Sequence, residues 1–353
     1  MGSCFRVALL GFGTVGSAVA RRLTASTTDP GLRLTHIFDR RADAKRHLLG
    51  HAHGVRWTSN IDDILHSDAD LVVEAVGGLD SAASWIGAAL LAGKSVVTAN
   101  KQVIAAHGVD LLRLAARQGR QLRFEAAVGG AMPIVRAIAD GLSGDCITRI
   151  VAILNGTTNA VLSQMEADDC SLETALAEAQ ATGYAEVDPS TDLDGGDASA
   201  KLAILCALAF GIRIEPSQIA TRTSATVSTA DVRRLRDQHQ SIRQIAFADY
   251  DRGCAKLTAW VAPTAVPSDS LLGRTVGPRN AALITGEHSG EVGLFGAGAG
   301  GAATAVAVIG DIVAIARDPS AIVPALTLTT DFSVRKLLSS DFTLPTSDYA
   351  EAL

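Results

Sequence analysis

Short apolar runs alternate with stretches of helical period through the first third of the chain. Phe5–Leu10 is such a run, and Ser17–Leu23 follows it with helical spacing. Strands are then expected at Leu32–Phe38, at 55–58, at Ala69–Val76, at Ser95–Thr98 and at Leu122–Val128. Helices fall between them near Ile61–His66, at Ser81–Ala92 and from Lys101 to about Arg117. Apolar runs without polar alternation are strands covered on both faces, as a parallel sheet requires. Strands alternating with helices predict a doubly wound parallel sheet, which binds ligands at the carboxyl ends of its strands.

The pattern changes after a Gly-Gly pair at Gly129-Gly130. Ile147–Leu154 reads as a strand, Asn155–Asn159 as a turn and helix cap, and Ala160–Glu166 as the helix it starts. Leu172–Ala181 is amphipathic. Leu202–Phe210 has no polar residue and is closed by Gly211, so it is a buried helix. The stretches 227–237 and 241–248 are polar or mixed. Strands are expected at Lys256–Val261, Ala281–Thr285 and Glu291–Phe295, and a helix at Ala302–Arg317. This half suits a mixed sheet with helices on one face. Beyond Arg317 a trailing segment containing Pro319, Pro324 and Pro345 is too short for a further regulatory domain.

Composition narrows the class. The chain has 353 residues, 48% of them hydrophobic and 19% charged, with a net charge of −6. That length holds two cored domains, and the charge balance argues against nucleic acid or an anionic membrane as partner. No apolar run has transmembrane length and the N-terminus has no signal-peptide layout. Cys4, Cys146, Cys170, Cys206 and Cys254 are scattered, with no zinc spacing, so a reducing cytoplasmic setting is expected. His36, His47, His51, His53 and His66 read as surface or loop residues.

The first strand runs straight into Gly11-Phe12-Gly13-Thr14-Val15-Gly16, and a helix follows. In this context the three glycines serve a tight turn, backbone approach to a pyrophosphate, and close packing of helix on strand. The unpaired N–H groups of the helix start attract phosphate. The fold expected is therefore α/β, a Rossmann-type doubly wound parallel sheet plus an α+β domain with a mixed sheet. The nucleotide domain takes residues 1–130 and 302–353, and the second domain takes 131–301. Asp39, at the tip of the second strand, suits the ribose 2′-hydroxyl of NAD, while Arg40 and Arg41 suit the 2′-phosphate of NADP. The sequence leaves both cofactors open. Gly77 and Gly78, and the group Thr98, Asn100 and Lys101, lie at further strand ends. Gly77 suits a nearby nicotinamide ribose. The positive charge of Lys101 opposes the helix dipole and favours a ligand role. A second glycine-rich loop, Gly296–Gly301, reads either as a bare loop that brings Gly300 and Gly301 close to the cofactor or as glycines for helix packing alone. Glu125-Ala126-Ala127-Val128-Gly129-Gly130-Ala131-Met132 reads either as an interdomain hinge or as backbone carbonyls around one carboxylate, a monovalent-cation site.

The chain is organised around Gly183–Pro189 and Asp192–Lys201, where five carboxylates precede one lysine. Asp197 and Lys201 share a helix face at i,i+4. As a plain ion pair they would stabilise the helix by roughly 0.2–0.5 kcal/mol. A lysine entering a buried helix must be desolvated or paired, however, and either changes its proton affinity. An acidic loop beside it suits an amine-bearing substrate.

Taken together, Gly11–Gly16, Val97-Thr98-Ala99-Asn100-Lys101, Glu125–Pro133, Asn155-Gly156-Thr157-Thr158-Asn159, the loop through Lys201, Asn280-Ala281 and Gly296–Asp311 resemble homoserine dehydrogenase over residues 5–315. The resemblance implies reversible hydride transfer between NAD(P)H and L-aspartate 4-semialdehyde, giving L-homoserine on the way to threonine and methionine. It implies Lys201 as general acid/base with Asp197 and Lys101 at the reacting centre. Glu186, Asp192, Asp197, Lys101 and Gly183 would bind substrate. Glu125, Val128, Gly130 and Met132 would hold Na⁺ or K⁺, mostly through carbonyls. It further implies a homodimer through the second domain's sheet and no regulatory ACT domain. The chemistry agrees with the residues. Reduction needs a proton donor on oxygen, which a lysine among carboxylates supplies, and oxidation needs the same lysine uncharged.

Several rivals remain. An acylating semialdehyde dehydrogenase needs a nucleophilic cysteine, and none of the five has a telling context. An amino-acid dehydrogenase would consume ammonia, and a related enzyme would act on an analogue of the semialdehyde. A non-catalytic NAD(P) sensor would need no proton donor.

Overall fold

The computed structural model describes residues 4–25, 31–50, 54–323, 326–337 and 341–344, so His51, His53, Pro324 and Pro345 lie outside the described residues. The chain divides into two compact units, Met1–Ala131 with Gly300–Thr327, and Met132–Ala299 with Leu328–Leu353.

The first unit is built on six parallel strands: β1 (Phe5–Leu10), β2 (Leu32–Phe38), β3 (Arg56–Thr58), β4 (Leu71–Glu74), β5 (Ser95–Thr98) and β6 (Leu122–Arg123). Their order is β3-β2-β1-β4-β5-β6, so the chain reverses direction across the sheet between β1 and β4. Val7, Leu9, Leu71, Val73 and Val97 form the core with Val19 and Leu23 of the helix Thr14–Thr24. The helix Gly301–Arg317 joins that core through Ala305, Val308, Ile312 and Ile315. A Cβ on Gly301 would stand 2.7 Å from the Thr14 carbonyl oxygen, so the glycine permits this close helix contact.

Two expectations change here. The strand expected at Leu122–Val128 stops at Arg123 and turns into a 3₁₀ segment, Glu125–Ala127. The physical reason is a competing partner, since the Glu125 N–H donates to Asp311 Oδ2 at 2.9 Å. His36 is not a surface residue. It lies within β2 with its ring against Thr35 Oγ1 at 2.9 Å, and burial lowers its pKa.

The second unit carries β7 (Ile147–Ile153), β8 (Ala220–Thr221), β9 (Gln240–Asp251), β10 (Lys256–Pro267), β11 (Arg279–Gly286), β12 (Gly290–Ala297) and β13 (Ser333–Val334). The sheet order is β12-β11-β7-β9-β10-β13, with β8 also on β10. The four pairs from β12 to β10 are antiparallel, and β8 and β13 are parallel to β10, so the sheet is mixed. Val161, Leu162 and Met165 of the helix Gly156–Asp168 form one apolar cluster with Ala175, Ala179, Val232 and Ile242. Ile245, Phe247 and Trp260 centre another, in which the two rings stack at 5.0 Å.

The long strand β9 was not expected, because Gln240, Ser241, Arg243 and Gln244 gave the segment a polar look. Arg243 and Gln244 are each 1% exposed. Their burial is tolerated because the terminal guanidinium nitrogens of Arg243 and Nε2 of Gln244 are partnered, although Arg243 Nε and Gln244 Oε1 are buried without a partner. The Arg243 guanidinium donates to Glu166 Oε2, Ile242 O and Gly273 O at 2.7–2.8 Å. The segment after Leu328 falls in the second unit, whereas 302–353 was expected as one piece with the nucleotide domain. Pairing explains the difference: β13 adds to β10, and Leu337, Phe342 and Leu344 cover the Trp260 cluster.

Candidate active site

In the first unit the fingerprint glycines lie at the β1–β4 reversal. Gly11 has φ +93, and a Cβ there would stand 2.6 Å from the Ala75 carbonyl oxygen. A Cβ on Gly16 would stand 2.0 Å from Gly11 O, so the helix can rest on the turn only as glycine. Gly13 is different. No atom lies within 4 Å of the place its Cβ would take, and as N-cap it offers no side-chain bond to the helix Thr14–Thr24. Gly13 lines a cleft at the start of that helix, whose first N–H groups have no intrahelical acceptor, an arrangement that fits a phosphate. Thr14 and Val15 open the same turn.

Beside it is a cleft of about 440 Å³ whose lining includes Gly11, Gly13, Asp39, Arg40, Arg41, Lys45 and Val76. Asp39 is 8% exposed and accepts from Phe12 N at 3.0 Å, Arg41 N at 2.9 Å and Lys45 Nζ at 2.5 Å. Burial alone would raise its pKa, but the Lys45 bond and the two backbone donors outweigh it and hold the carboxyl below its ordinary value. Lys45 was not anticipated. It also donates to Phe12 O at 3.1 Å, tying the β2 tip to the glycine turn.

At the ends of β4 and β5, Thr98 is buried and Asn100 caps the helix Lys101–Arg117 by accepting from Val103 N at 3.2 Å. Lys101 is the half-buried first residue of that helix. Gly77 and Gly78 have φ +78 and +77 and open space at both Cβ positions. Gly300 is exposed, and Gly301 begins its helix. A second unanticipated residue is Glu74, fully buried under this loop. A carboxylate closing an apolar strand just before Gly-Gly was the available signal. Glu125 and Val128 are buried, and Gly129 and Gly130 take φ +83 and +63, an irregular turn rather than a strand. Met132, also buried, is the first residue of the second unit.

In the second unit the polar groups meet at the carboxyl end of β7. Lys201, in the second turn of the helix Gly196–Phe210, donates from Nζ to Asp197 Oδ2 at 2.8 Å and to Leu154 O at 2.7 Å. The side chains of Lys201 and Asp197 are 13% and 7% exposed. The same Asp197 oxygen accepts from Asn155 Nδ2 at 2.8 Å, and Asp192 Oδ1 accepts from that nitrogen at 2.7 Å. Asn155 Oδ1 in turn accepts from Thr158 N at 2.7 Å, so one residue caps the helix Gly156–Asp168 and joins both carboxylates. Gln244 Nε2 donates to Asp192 O at 2.9 Å and Asn280 Nδ2 to Leu154 O at 3.4 Å, holding the network from behind. Read from its neighbours alone, Asn155 has only a capping role.

An ammonium has three N–H donors. Two of those on Lys201 are held by Asp197 and Leu154, which aims the group and leaves one for a ligand. Of the expected substrate residues, Asp197 and Asp192 are joined in this way to the expected catalytic Lys201, while Gly183 and Glu186 are exposed. The Glu186 loop is tied by its backbone, through Gln180 Nε2 to Glu186 O at 3.0 Å and Thr157 Oγ1 to Tyr184 O at 2.9 Å. The acidic loop ahead of Lys201 contains one helical turn, Ser190–Leu193. Among the described residues no cluster of three or more His, Cys, Asp or Glu side chains could hold a metal ion, and no helix is long and apolar enough to cross a membrane.

Comparison with known proteins bears on both units. Residues 11–125 match the family model of the homoserine dehydrogenase NAD-binding domain, and residues 133–313 match that of homoserine dehydrogenase. The homoserine dehydrogenase of Corynebacterium glutamicum is 37% identical over 90% of this chain and 73% of its own length. That of Mycobacterium tuberculosis H37Rv is 38% identical over 88% and 72%. A homoserine dehydrogenase structure from Thiobacillus denitrificans superposes with a TM-score of 0.83 at 33% identity, covering 94% of this chain and 79% of that one. A hyperthermophilic archaeal homoserine dehydrogenase in complex with NADPH gives 0.71 at 28% identity, covering 88% and 96%. Family models that together span both units, and relatives matched over most of their own length, agree with the nucleotide turn and the lysine network: the chain belongs to the homoserine dehydrogenase family.

Proposed function

We propose that this protein interconverts L-homoserine and L-aspartate 4-semialdehyde, with Lys201 as the proton donor and acceptor. As a homoserine dehydrogenase it is an NAD(P)-dependent oxidoreductase, and the bound nicotinamide supplies or accepts the hydride. The observation that carries the lysine assignment is the fixed Nζ, with two N–H groups held and one left to donate to a carbonyl oxygen. In the oxidative direction the neutral amine takes the alcohol proton, so Lys201 must first lose one. The Asp197 carboxylate and the Leu154 carbonyl hold the amine in place in both protonation states. Asp192 and Glu186 offer carboxylates for the substrate ammonium group, and Lys101 adds positive charge beside the cofactor.

Three cations, Arg40, Arg41 and Lys45, line the cleft around the single carboxylate of Asp39, which supports NADP over NAD. Glu125, with the carbonyls of Val128 and Gly130, suits a monovalent cation. The open edge of β12, which carries Phe295 at 65% exposure, supports pairing with a second copy. Following NADPH and NADH oxidation with aspartate semialdehyde tests the activity and the cofactor together. Absence of turnover with this aldehyde, despite nucleotide binding, would favour the sensor or analogue readings.

A further inference from the structure

Glu74 is the last residue of β4 and fully buried. Its Oε1 accepts from Val76 N at 2.8 Å and Gly77 N at 3.1 Å, and its Oε2 from Thr98 Oγ1 at 2.5 Å. Thr98 faces it in register on β5 and accepts in turn from Asn100 N at 3.0 Å. Asn100 Nδ2 donates to Gly78 O at 2.7 Å, closing the loop from its other side. Every described partner of the Glu74 carboxylate is a neutral dipole.

This arrangement is more than the loop needs. A glutamine could hold the same backbone donors without a charge, and burying an uncompensated carboxylate opposes folding. A fixed buried anion is useful where a positive charge arises in a ligand. In a sheet of this order a dinucleotide crosses at the β1–β4 reversal, with one mononucleotide over each half. Asp39 at the β2 tip marks the adenosine half. The nicotinamide half then belongs over β4 and β5, where Gly77 and Gly78 have open space at their Cβ positions and the Gly77 N–H is bonded to Glu74. The ring is neutral when reduced and cationic when oxidised.

We propose that Glu74 acts through its buried charge to favour the oxidised, cationic nicotinamide over the reduced form, while its hydrogen bonds position the Val76–Gly78 loop. This rests on the NAD(P) reading of the first unit. At an effective dielectric of about 20, a unit charge roughly 10 Å from the ring changes affinity about tenfold.

The test is direct titration of the purified protein with NADP⁺ and with NADPH, in wild type and Glu74→Gln, taking the ratio of the two dissociation constants. The expected result is a ratio of oxidised to reduced that rises about tenfold in the variant, chiefly through weaker NADP⁺ binding. Glu74→Met, neutral but without the hydrogen bonds, must raise the same ratio on top of any loss common to both forms, and it answers the question if Glu74→Gln does not fold. A ratio within twofold of wild type in the folded variants, whatever happens to the individual affinities, overturns the inference and leaves Glu74 a purely structural residue. Wild-type protein that binds neither nucleotide would instead contradict the cofactor reading.

Discussion

Replacing Lys201 with methionine separates the catalytic from the structural work of the lysine network. Methionine keeps the length and apolar stem but removes the ammonium that bonds Asp197 and Leu154. General acid–base catalysis contributes about 10²–10⁴-fold, so kcat for semialdehyde reduction should fall by that factor, about 3–5 kcal/mol of barrier. Stability should fall as well. Removing one partner of a buried ion pair costs about 3–5 kcal/mol, because the other charge is left behind. Asp197 is only 6% exposed, but it keeps its 2.8 Å bond from Asn155, which points to the lower end of that range. The decisive comparison adds Asp197→Asn to Lys201→Met. With the stranded charge gone, urea unfolding should return about 1–3 kcal/mol of the lost stability. Turnover should stay as low as in the single variant. The assays are NADPH oxidation at 340 nm and urea denaturation of the same preparations. Activity of Lys201→Met within tenfold of wild type, or activity that returns with stability in the double variant, would refute the role given to this nitrogen.

Other consequences can be checked more briefly. Gly13→Ala should leave stability within about 0.5 kcal/mol, since nothing stands near the added Cβ, yet weaken nucleotide binding at least about tenfold. Gly11→Ala should cost about 2 kcal/mol or more, from its positive φ and its collision with the Ala75 carbonyl, and thermal unfolding with nucleotide titration distinguishes the two. The folded pKa of Asp39 lies below its ordinary 3.8, so its contribution to stability is complete above that value and is lost as the pH falls below it. Acid unfolding of Asp39→Asn should therefore show a shallower pH dependence in that range, and identical acid profiles would contradict the Lys45–Asp39 geometry. Phe295→Asp should lower the mass measured by sedimentation from dimer to monomer, because it places a charge on the open edge of β12. An unchanged mass would remove that edge as the interface.

The sequence by itself determined whatever local chemistry controls. The strands Phe5–Leu10, Leu71–Glu74 and Ser95–Thr98 each hold an unbroken apolar stretch, Val7 to Leu10, Leu71 to Val73 and Val96-Val97, and such stretches suit strands covered on both sides. The Gly11–Gly16 turn was legible because its first and last positions tolerate only glycine, and the Asp197–Lys201 pair because helix geometry alone puts i and i+4 on one face. Contacts between distant segments decided the rest. Gln240–Asp251 is a central strand because Glu166 and Gly273 partner Arg243, a contact its own polar pattern hides. Leu122–Val128 stops short as a strand because Asp311, 186 residues away from Glu125, takes a ladder donor. Asn155, Lys45 and Glu74 owe part of their roles to more distant partners, Asp192, Phe12 and Thr98. Periodicity and propensity report what a segment can do alone, but the fate of a buried polar group depends on which donors and acceptors the folded chain brings to it, and those come from anywhere in the sequence.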